Sequence, residues 1–225
     1  MGKRFVVGDI HGAHKALTQV LERSKFDYEN DLLIIIGDVC DGWPETRKCV
    51  DELLKIKDRV FVLGNHDFWM WRWLTYAESP KIWLSQGGQS TVECYGGNSP
   101  PMPDSHIKFW NSFQLHYLTD DSKFFVHGGF KPTVPLSYQT VDTFTWDRSL
   151  WETAMKSKSH FKAFKEIFIG HTTTENESLC PVQRQNVWNV DQGAGWGGRL
   201  TIMDIDTKEF WSSDIVKTLY KEGGR

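Results

Sequence analysis

The chain has 225 residues, of which 40% are hydrophobic and 24% are charged, a composition typical of globular proteins that bury a substantial core. Its formal net charge of -3 gives no broad electrostatic basis for binding nucleic acid or a membrane surface, so neither partner is expected. No stretch approaches the ~18 consecutive apolar residues of a membrane-spanning helix. We expect residues 1–225 to form a single domain.

The amino-terminal segment and the cysteines both favour a cytoplasmic location. Only three apolar residues, at positions 5–7, follow the first basic residues, which is too few for the apolar core of a secretory signal peptide. The scattered cysteines form no CxxC pair and are typical of reduced thiols rather than of a disulfide framework. They are Cys40, Cys49, Cys94 and Cys180.

The first third of the chain repeats the order apolar strand, polar motif and helix. Repeated units of this kind form a parallel sheet with right-handed crossovers, and such sheets bind ligands at the carboxyl ends of their strands. The chain is therefore expected to have an α/β fold built from βαβ units. The predicted strands cover residues 4–7, 32–36 and 60–63, and the predicted helices cover residues 13–23, 44–56 and the segment that ends near residue 77.

The rest of the chain is less regular. We expect residues 79–106, which are rich in Gly, Ser and Pro, to form a surface excursion with one small strand, and residues 130–146 to be irregular. Elsewhere, short apolar runs between turn residues predict strands. The predicted strands cover 115–118, 123–126, 166–169, 187–191, 200–204 and 209–211, with the first two paired and the last two in a hairpin, and the predicted helices cover 105–113 and 147–157.

Five apolar runs each end in a short motif that carries side chains able to bind a metal ion. Taken singly, an Asp-x-His or a Gly-His pair is more often an ordinary turn. Five such motifs in order, each after an apolar strand, rarely arise by chance, and together they indicate a metal centre at the strand ends. The motifs are GDIHG at 8–12, GDVCDG at 37–42, GNHD at 64–67, HGG at 127–129 and GHT at 170–172.

The ligand-type residues of these motifs comprise two carboxylates, one amide and three imidazoles. This mixed nitrogen and oxygen set suits Mn, Fe or Zn. Six ligands are too many for one ion that keeps an open position, and they suit two ions about 3.5–4 Å apart that clamp a phosphoryl group. Asp38, on the central of the three motif strands, is the candidate that bridges both ions. The six candidates are Asp9, His11, Asp38, Asn65, His127 and His171.

The same motifs supply candidates for proton transfer. A water shared by two divalent ions is hydroxide near neutral pH and can attack phosphorus in line. The leaving alkoxide then needs a proton, and His66, next to Asn65, is the candidate general acid. Asp41 is the candidate carboxylate that orients His66, and the adjacent Asp67 is the second candidate for that role.

In order, and over residues 5–205, these motifs resemble the five signature blocks of the calcineurin-like metallophosphoesterases. The resemblance is greatest to the phosphoprotein phosphatase branch, which includes bacteriophage-type Ser/Thr protein phosphatases and symmetrical diadenosine tetraphosphatases. It implies a four-layer α-β-β-α sandwich and a dinuclear Mn, Fe or Zn centre, with Mn as the first choice.

The resemblance also implies a role for each motif residue. By motif position, His66 matches the general acid of the family, and Asp41 matches its carboxylate partner. The first metal is matched by Asp9, His11 and Asp38, and the second by Asp38, Asn65, His127 and His171.

One departure concerns the grip on phosphate. The second block of the family usually continues with an Arg that binds the substrate phosphate, whereas here Asp41 is followed by Gly42 and Trp43. Arg47, one turn into the next helix, is a candidate replacement, with a solvated helix position as the alternative. Arg148 resembles the other phosphate-binding Arg of the family, between the last two histidine motifs.

Two further features bear on the substrate. Gln192 stands where the closing segment of the family has Thr, and we expect it to alter the substrate pocket. In the helix after the third motif, Trp69 and Trp73 share one face and are expected in the core. Trp71 and Arg72 face elsewhere and are candidates to stack on a base or ring.

The expected activity is metal-dependent hydrolysis of phosphomonoesters, with phosphorylated Ser or Thr on a protein as the first substrate class. The alternative is a nucleotide phosphohydrolase that cleaves dinucleoside polyphosphates or phosphodiesters. The absence of an Arg after Asp41 makes the two hypotheses more nearly equal, because a site without this Arg binds a dianionic monoester less tightly. A catalytically idle binding protein is a third hypothesis, disfavoured because all six ligand candidates and His66 are present.

Overall fold

The computed structural model describes residues 2–97 and 102–220, and in them two sheets lie between layers of helices. The strands are β1 (Arg4–Val7), β2 (Leu32–Ile35), β3 (Asp58–Phe61), β4 (Tyr117–Leu118), β5 (Lys123–Phe125), β6 (Glu166–Ile169), β7 (Val182–Arg184), β8 (Val187–Asn189), β9 (Thr201–Asp204) and β10 (Phe210–Ser212). The helices are α1 (His14–Arg23), α2 (Thr46–Leu53), α3 (Asn65–Tyr76), α4 (Lys81–Trp83), α5 (Gln89–Cys94), α6 (Asp104–Trp110), α7 (Val141–Trp146), α8 (Ser149–Lys156) and α9 (Val216–Leu219).

The first sheet contains the repeated units predicted from the sequence. Its strand order is β10-β9-β1-β2-β3, in which β1, β2 and β3 run parallel and β9 pairs antiparallel with β1 and β10. The chain passes from β1 to β2 through α1 and from β2 to β3 through α2. The βαβ units and the late hairpin are therefore confirmed, although β3 begins and ends two residues before the predicted strand.

The second sheet has the order β4-β5-β6-β8-β7. The predicted pairing of β4 with β5 is confirmed as antiparallel, and β5, β6 and β8 run parallel to one another. Strand β7, which pairs antiparallel with β8, was not predicted, and neither was the four-residue helix α9. Both elements are too short to give a periodic sequence pattern.

An apolar layer holds the two sheets face to face. Val6 and Ile34 of the first sheet belong to one buried cluster with Phe125 and Phe168 of the second. The rings of Phe125 and Phe168 stack with their centroids 4.7 Å apart. Because alternate side chains point to opposite faces of a strand, the neighbours of these residues face the outer helices. This double burial is why the strands are unbroken apolar runs.

Helices cover the outer face of each sheet. Leu17 and Val20 of α1 pack in one cluster with Phe5 of β1, and Phe144 of α7 and Leu150 of α8 pack in another with residues of the second sheet. The layers therefore follow the order α-β-β-α, as expected. None of the helices in the described ranges is both long enough and apolar enough to cross a bilayer.

The expected surface excursion at 79–106 was wrong in its described part, because this segment is helical and partly buried. Helices α4 and α5 are joined by a kinked turn in which Gly87 has φ 100°. Trp83 is fully buried, and it packs so closely on Gly88 that a Cβ there would lie 2.5 Å from the indole. The glycines of this segment therefore allow a kink and close packing between helices, and they do not mark a flexible loop. Residues 98–101 of the excursion lie outside the described residues.

Residues 130–146 are also more regular than expected. They contain α7, whose first turn is capped by the side chain of Thr140, which accepts a hydrogen bond from the backbone N–H of Thr143. Phe144 on this helix is buried against the second sheet. The sequence hides this helix because it is only six residues long.

Replacing Phe168 by Ala is expected to lower the free energy of unfolding by about 3–5 kcal/mol, because it leaves a cavity between the sheets. Tyr138→Ala is the matched control, since Tyr138 is 80% exposed, and it is expected to change stability by less than about 0.5 kcal/mol. Urea unfolding followed by circular dichroism measures both. Equal small losses would contradict a tightly packed layer between the sheets.

Candidate active site

The five motifs converge on one cavity of about 330 Å³. Its lining includes residues that follow β1, β2 and β3 in the first sheet and β6 in the second. His127, which follows β5, is fully buried behind them. The motif residues that line the cavity are Asp9, His11, Asp38, Asn65, His66, His171 and Thr172.

Two groups of side chains in and directly behind the cavity lining have the composition and spacing to hold a metal ion. Asp9, His11 and Asp38 form one group, and Asp38, His127 and His171 form the other. In each group the potential ligand atoms lie within 4.8 Å of one another. Asp38 belongs to both groups, which is the sharing predicted for a bridging ligand.

Unpaired polar atoms in these groups fit cations. Asp9 Oδ1 and His171 Nε2 are buried and have no hydrogen-bond partner among the described residues, a costly arrangement unless another ligand meets them. His127 donates its Nδ1–H to the carbonyl of Ile36 at 2.8 Å. Its Nε2 is thereby directed at two oxygens, Asn65 Oδ1 at 3.0 Å and Asp38 Oδ2 at 3.4 Å.

The buried carboxylates of the cavity favour the binding of positive charge beside them. Burial and the neighbouring carboxylate of Asp191 raise the pKa of Asp9 well above its usual range. Burial lowers the pKa of His127, but Asp38 and Asp9 outweigh burial and raise it to about 10. Burial and the charge of His127 lower the pKa of His171 to about 3, so its imidazole is neutral and offers a lone pair. Divalent cations would supply the missing positive charge.

The motif backbones are bent so that these side chains meet. His11, Asp38, Asp41 and His171 have φ values of 51°, 48°, 70° and 62°. Residues other than glycine rarely adopt this left-handed region, and they do so most often at functional sites. The bends also aim backbone N–H groups at the carboxylates. His171 N donates to Asp9 Oδ2 at 3.0 Å, for example.

His66 and Asp41 form a buried pair beside the metal-binding groups. His66 is the second residue of α3, and its Nδ1 lies 2.6 Å from Asp41 Oδ2. The carboxylate of Asp41 also accepts hydrogen bonds from Trp83 Nε1 and Thr91 Oγ1, each at 2.7 Å. Because Nδ1 faces a carboxylate, it donates a proton to that hydrogen bond, and His66 lines the cavity.

Asp67, the second candidate partner of His66, binds backbone instead. Its Oδ1 accepts from the N–H groups of Val39 at 2.8 Å and Cys40 at 3.3 Å, and its Oδ2 accepts from Gly64 N at 3.1 Å. These bonds join the second motif to the third. The structure therefore places Asp67 as a brace between two motifs.

The two candidate phosphate-binding arginines are placed differently. Arg148 lines the cavity beside Trp146. Arg47 is exposed on α2 and is not among the residues that line the cavity. Trp43, near the position of the missing Arg, is buried, donates its Nε1–H to the carbonyl of Ala194 at 2.7 Å and stacks on Tyr220. Trp43 therefore has a packing role at this part of the second motif and is not available to bind phosphate.

The individual indoles that line the cavity were not predicted. Trp146 and the 54%-exposed Trp196 line it. Trp69, expected in the core, is only partly buried, with its ring 5.3 Å from that of His66 and 5.1 Å from that of Trp146. The sequence contains eleven tryptophans, but this content by itself does not say which indoles face a ligand.

The other candidates for substrate contact lie away from the cavity lining. Trp71 stacks on Phe68, and Arg72 pairs with Glu78 on the outer surface of α3. Gln192 is buried, and its amide donates to the carbonyl of Asn189 at 3.2 Å.

Known proteins resemble the chain in sequence over most of its length. A family model described as calcineurin-like phosphoesterase matches residues 3–195. "Serine/threonine-protein phosphatase 1" of Salmonella typhimurium is 25% identical over 212 residues, which cover 89% of this chain and 91% of the relative. A symmetrical bis(5'-nucleosyl)-tetraphosphatase of Wigglesworthia glossinidia brevipalpis is 28% identical over 223 residues, which cover 97% of this chain and 73% of the relative.

Solved structures share the fold at lower identity. A crystal structure described as that of a candidate diadenosine tetraphosphatase has a TM-score of 0.69 at 18% identity, covering 100% of this chain and 94% of its own. A metallophosphoesterase from Sphaerobacter thermophilus has a TM-score of 0.58 at 15% identity, and the match covers 95% of this chain and 89% of the Sphaerobacter chain. The chain therefore belongs to the calcineurin-like phosphoesterase family and is a hydrolase of phosphoester bonds.

Proposed function

We propose that this hydrolase is a dinuclear-metal-dependent phosphomonoesterase whose first substrate class is protein phosphorylated on Ser or Thr. The observation that supports it most is the sharing of Asp38 by two groups of potential ligands around one cavity. His66 and Arg148 on the cavity walls provide a proton donor and a phosphate-binding cation.

The proposed metal ligands are the six motif residues. Mn is the first choice for both ions, with Fe or Zn as alternatives. When bound, the two ions would neutralise phosphate charge and lower the pKa of a bound water. One ion would be held by Asp9, His11 and Asp38, and the other by Asp38, Asn65, His127 and His171.

His66 and Arg148 would act on opposite parts of the substrate. The guanidinium of Arg148 presents paired N–H groups that match two oxygens of a phosphoryl group. His66, held through Nδ1 by Asp41, would give the proton on its other ring nitrogen to the leaving oxygen as the P–O bond breaks. This donation matters most for an alkoxide such as that of Ser or Thr, which is a poor leaving group.

The protein substrate is supported by the Salmonella relative, whose match covers nine-tenths of both chains. The size of the cavity also suits it, because about 330 Å³ is at the small end of ligand sites and accommodates a phosphorylated side chain.

A dinucleoside polyphosphate is the second candidate, favoured by the aromatic walls. Trp146 and Trp196 offer indoles on which a base can stack. Gln86 and Trp196 also line an adjoining depression of about 580 Å³, which gives room for a nucleoside beyond the cavity. The Wigglesworthia relative, a tetraphosphatase by name, supports the same reading.

We also propose that residues 1–225 act as one catalytic domain in the cytoplasm. Ligands from both sheets meet in one site, which supports a single unit. All four cysteines are unpaired thiols, as a reducing compartment would leave them.

The substrate class is tested by comparing rates on the Mn-loaded protein. Phosphoserine and phosphothreonine peptides are expected to be hydrolysed faster than diadenosine tetraphosphate and bis-p-nitrophenyl phosphate, and a chelator is expected to stop all reactions. Fast cleavage of the dinucleotide with slow peptides would instead establish the second candidate. Trp196→Ala is expected to raise KM more for the dinucleotide than for the peptides, because stacking on a base would use the indole face.

Asp38→Asn is expected to abolish turnover and to lower the metal content, because the amide replaces the negative charge shared by both sites. Metal analysis and the rate on p-nitrophenyl phosphate measure the two effects, and circular dichroism checks that the protein is folded. Asp142→Asn, at an exposed position of α7, is the control that should change neither. Full activity of Asp38→Asn would remove the two-metal proposal.

His66→Asn is expected to slow phenyl phosphate hydrolysis by about 10²–10⁴-fold, the usual contribution of a general acid. On p-nitrophenyl phosphate the loss is expected to be much smaller, because p-nitrophenolate scarcely needs a proton. Values of kcat on the two esters test this, with His14→Asn, outside the cavity lining, as the control. Equal losses on both esters would show that His66 binds substrate rather than protonates it.

A further inference from the structure

Asp41 has a more elaborate set of partners than orientation by one histidine requires. Its side chain is fully buried. Oδ2 lies 2.6 Å from His66 Nδ1 and accepts a second hydrogen bond from Trp83 Nε1 at 2.7 Å. Oδ1 accepts from Thr91 Oγ1 at 2.7 Å. Three donors from three different segments therefore fix the plane of this carboxylate.

Two of these donors come from outside the five motifs. Trp83 ends α4 and Thr91 lies on α5, in the segment that the sequence indicated to be a surface excursion. Both side chains are fully buried. The indole of Trp83 packs against Gly88, where even a Cβ would collide with it, so its N–H has a fixed direction.

Thr91 binds the backbone of Asp41 as well as its side chain. The Thr91 hydroxyl accepts from Asp41 N at 2.9 Å while it donates to Oδ1. Asp41 has a φ of 70°, a conformation that needs support in a residue other than glycine. The neighbouring Gly42 donates its N–H to the carbonyl of Gly87 at 3.2 Å, which ties the same two segments together.

We propose that Trp83 and Thr91 are positioning residues for phosphoester hydrolysis, acting on His66 through Asp41. The inference rests on the proposed role of His66 as general acid. In that step the oxygen of a water-derived hydroxide forms a new bond to phosphorus as the P–O bond to the leaving group breaks. The leaving oxygen keeps the electron pair of the broken bond, and His66 gives this oxygen its proton. Asp41 keeps its hydrogen bond to Nδ1 throughout and does not change its protonation.

The physical reason is the sensitivity of proton transfer to geometry. Without the O–H of Thr91, Asp41 Oδ1 loses its donor, and without the N–H of Trp83, Oδ2 is held by His66 Nδ1 alone. In either case the buried carboxylate is less constrained and can turn toward other donors. The His66 ring then loses its fixed direction, and misplacement of a reacting group by about 1 Å can slow a reaction 10²-fold. Metal binding is not expected to change, because neither residue belongs to the two metal-binding groups.

The test uses Trp83→Phe, which removes the indole N–H, and Thr91→Val, which removes the hydroxyl that binds both Asp41 Oδ1 and Asp41 N. Each is expected to lower kcat on phenyl phosphate by about 10–100-fold, while kcat on 2,4-dinitrophenyl phosphate and both KM values stay within about threefold. Thr91→Ser keeps the hydroxyl and should behave as wild type. Trp110→Phe, which removes a buried indole that donates to Tyr95 rather than to Asp41, is the matched control.

A double-mutant cycle separates action through Asp41 from general damage. In an Asp41→Asn background, Trp83→Phe and Thr91→Val are expected to add almost nothing to the loss on phenyl phosphate, since residues that act as one unit are not additive. Full additivity would overturn the inference. So would equal losses on both aryl esters together with lowered metal content, which is the result of a merely structural role.

Measuring His66→Asn together with these variants tests the general-acid proposal and the positioning inference separately. If His66→Asn discriminates between the esters while Trp83→Phe and Thr91→Val do not, the positioning inference fails and the general-acid proposal stands. If His66→Asn does not discriminate either, both fail. If Trp83→Phe does not fold, Thr91→Val alone gives the decision, because it changes a hydroxyl to a methyl group of similar size.

Discussion

The ionised carboxylate of Asp38 is the group on which the rest of the site depends. Burial raises its pKa, but the neighbouring imidazoles of His127, His66 and His11 outweigh burial and lower it well below its usual range. A buried charge is tolerated only when it is paired and hydrogen-bonded. Asp38 therefore requires the backbone N–H of His66, which it accepts at 3.0 Å, and the positive charge that the proposed cations would bring.

Close packing around Asp38 explains why the motifs contain glycine. A Cβ on Gly64 would lie 2.2 Å from Asp38 Oδ1, and a Cβ on Gly37 would lie 2.7 Å from the ring of His127. Gly37 also has φ 101°, which side chains rarely permit. Each glycine thus lets one motif approach the next, and the site forms only when the two sheets are assembled. Metal binding should consequently be coupled to folding of the whole sandwich.

The sequence was informative where local pattern and tertiary role agree. The apolar runs before the motifs predicted β1 and β2 and located the ligand candidates at the strand ends, because doubly buried strands must be continuously apolar. It was uninformative where a residue serves a distant partner. Trp83 donates to Asp41 across 42 positions, and Gly88 makes room for its indole. Neither role leaves a periodic signal, so a buried helical segment resembled a loop.

The second motif lacks the Arg that usually binds the substrate phosphate in this family, so another cation must neutralise the phosphate charge. Trp43, two residues after Asp41, is committed to packing, since it holds the carbonyl of Ala194 and the ring of Tyr220. In the part of the chain that the structure describes, Arg148 is the arginine among the cavity-lining residues. Fewer fixed cations reduce the preference for a dianionic monoester over a less charged diester or anhydride.

Selectivity in this chain should consequently depend more on what surrounds the phosphoryl group than on its charge. The indoles of Trp146 and Trp196 form that surrounding wall, and an indole can pack against a peptide side chain or stack on a base. Leaving-group chemistry then becomes the stronger discriminator. In the proposed mechanism an alkoxide would take its proton from His66, whereas a phosphate leaving group would scarcely need one. The hydrogen bonds that Trp83 and Thr91 donate to Asp41 would then be useful chiefly to an enzyme that cleaves alkyl esters.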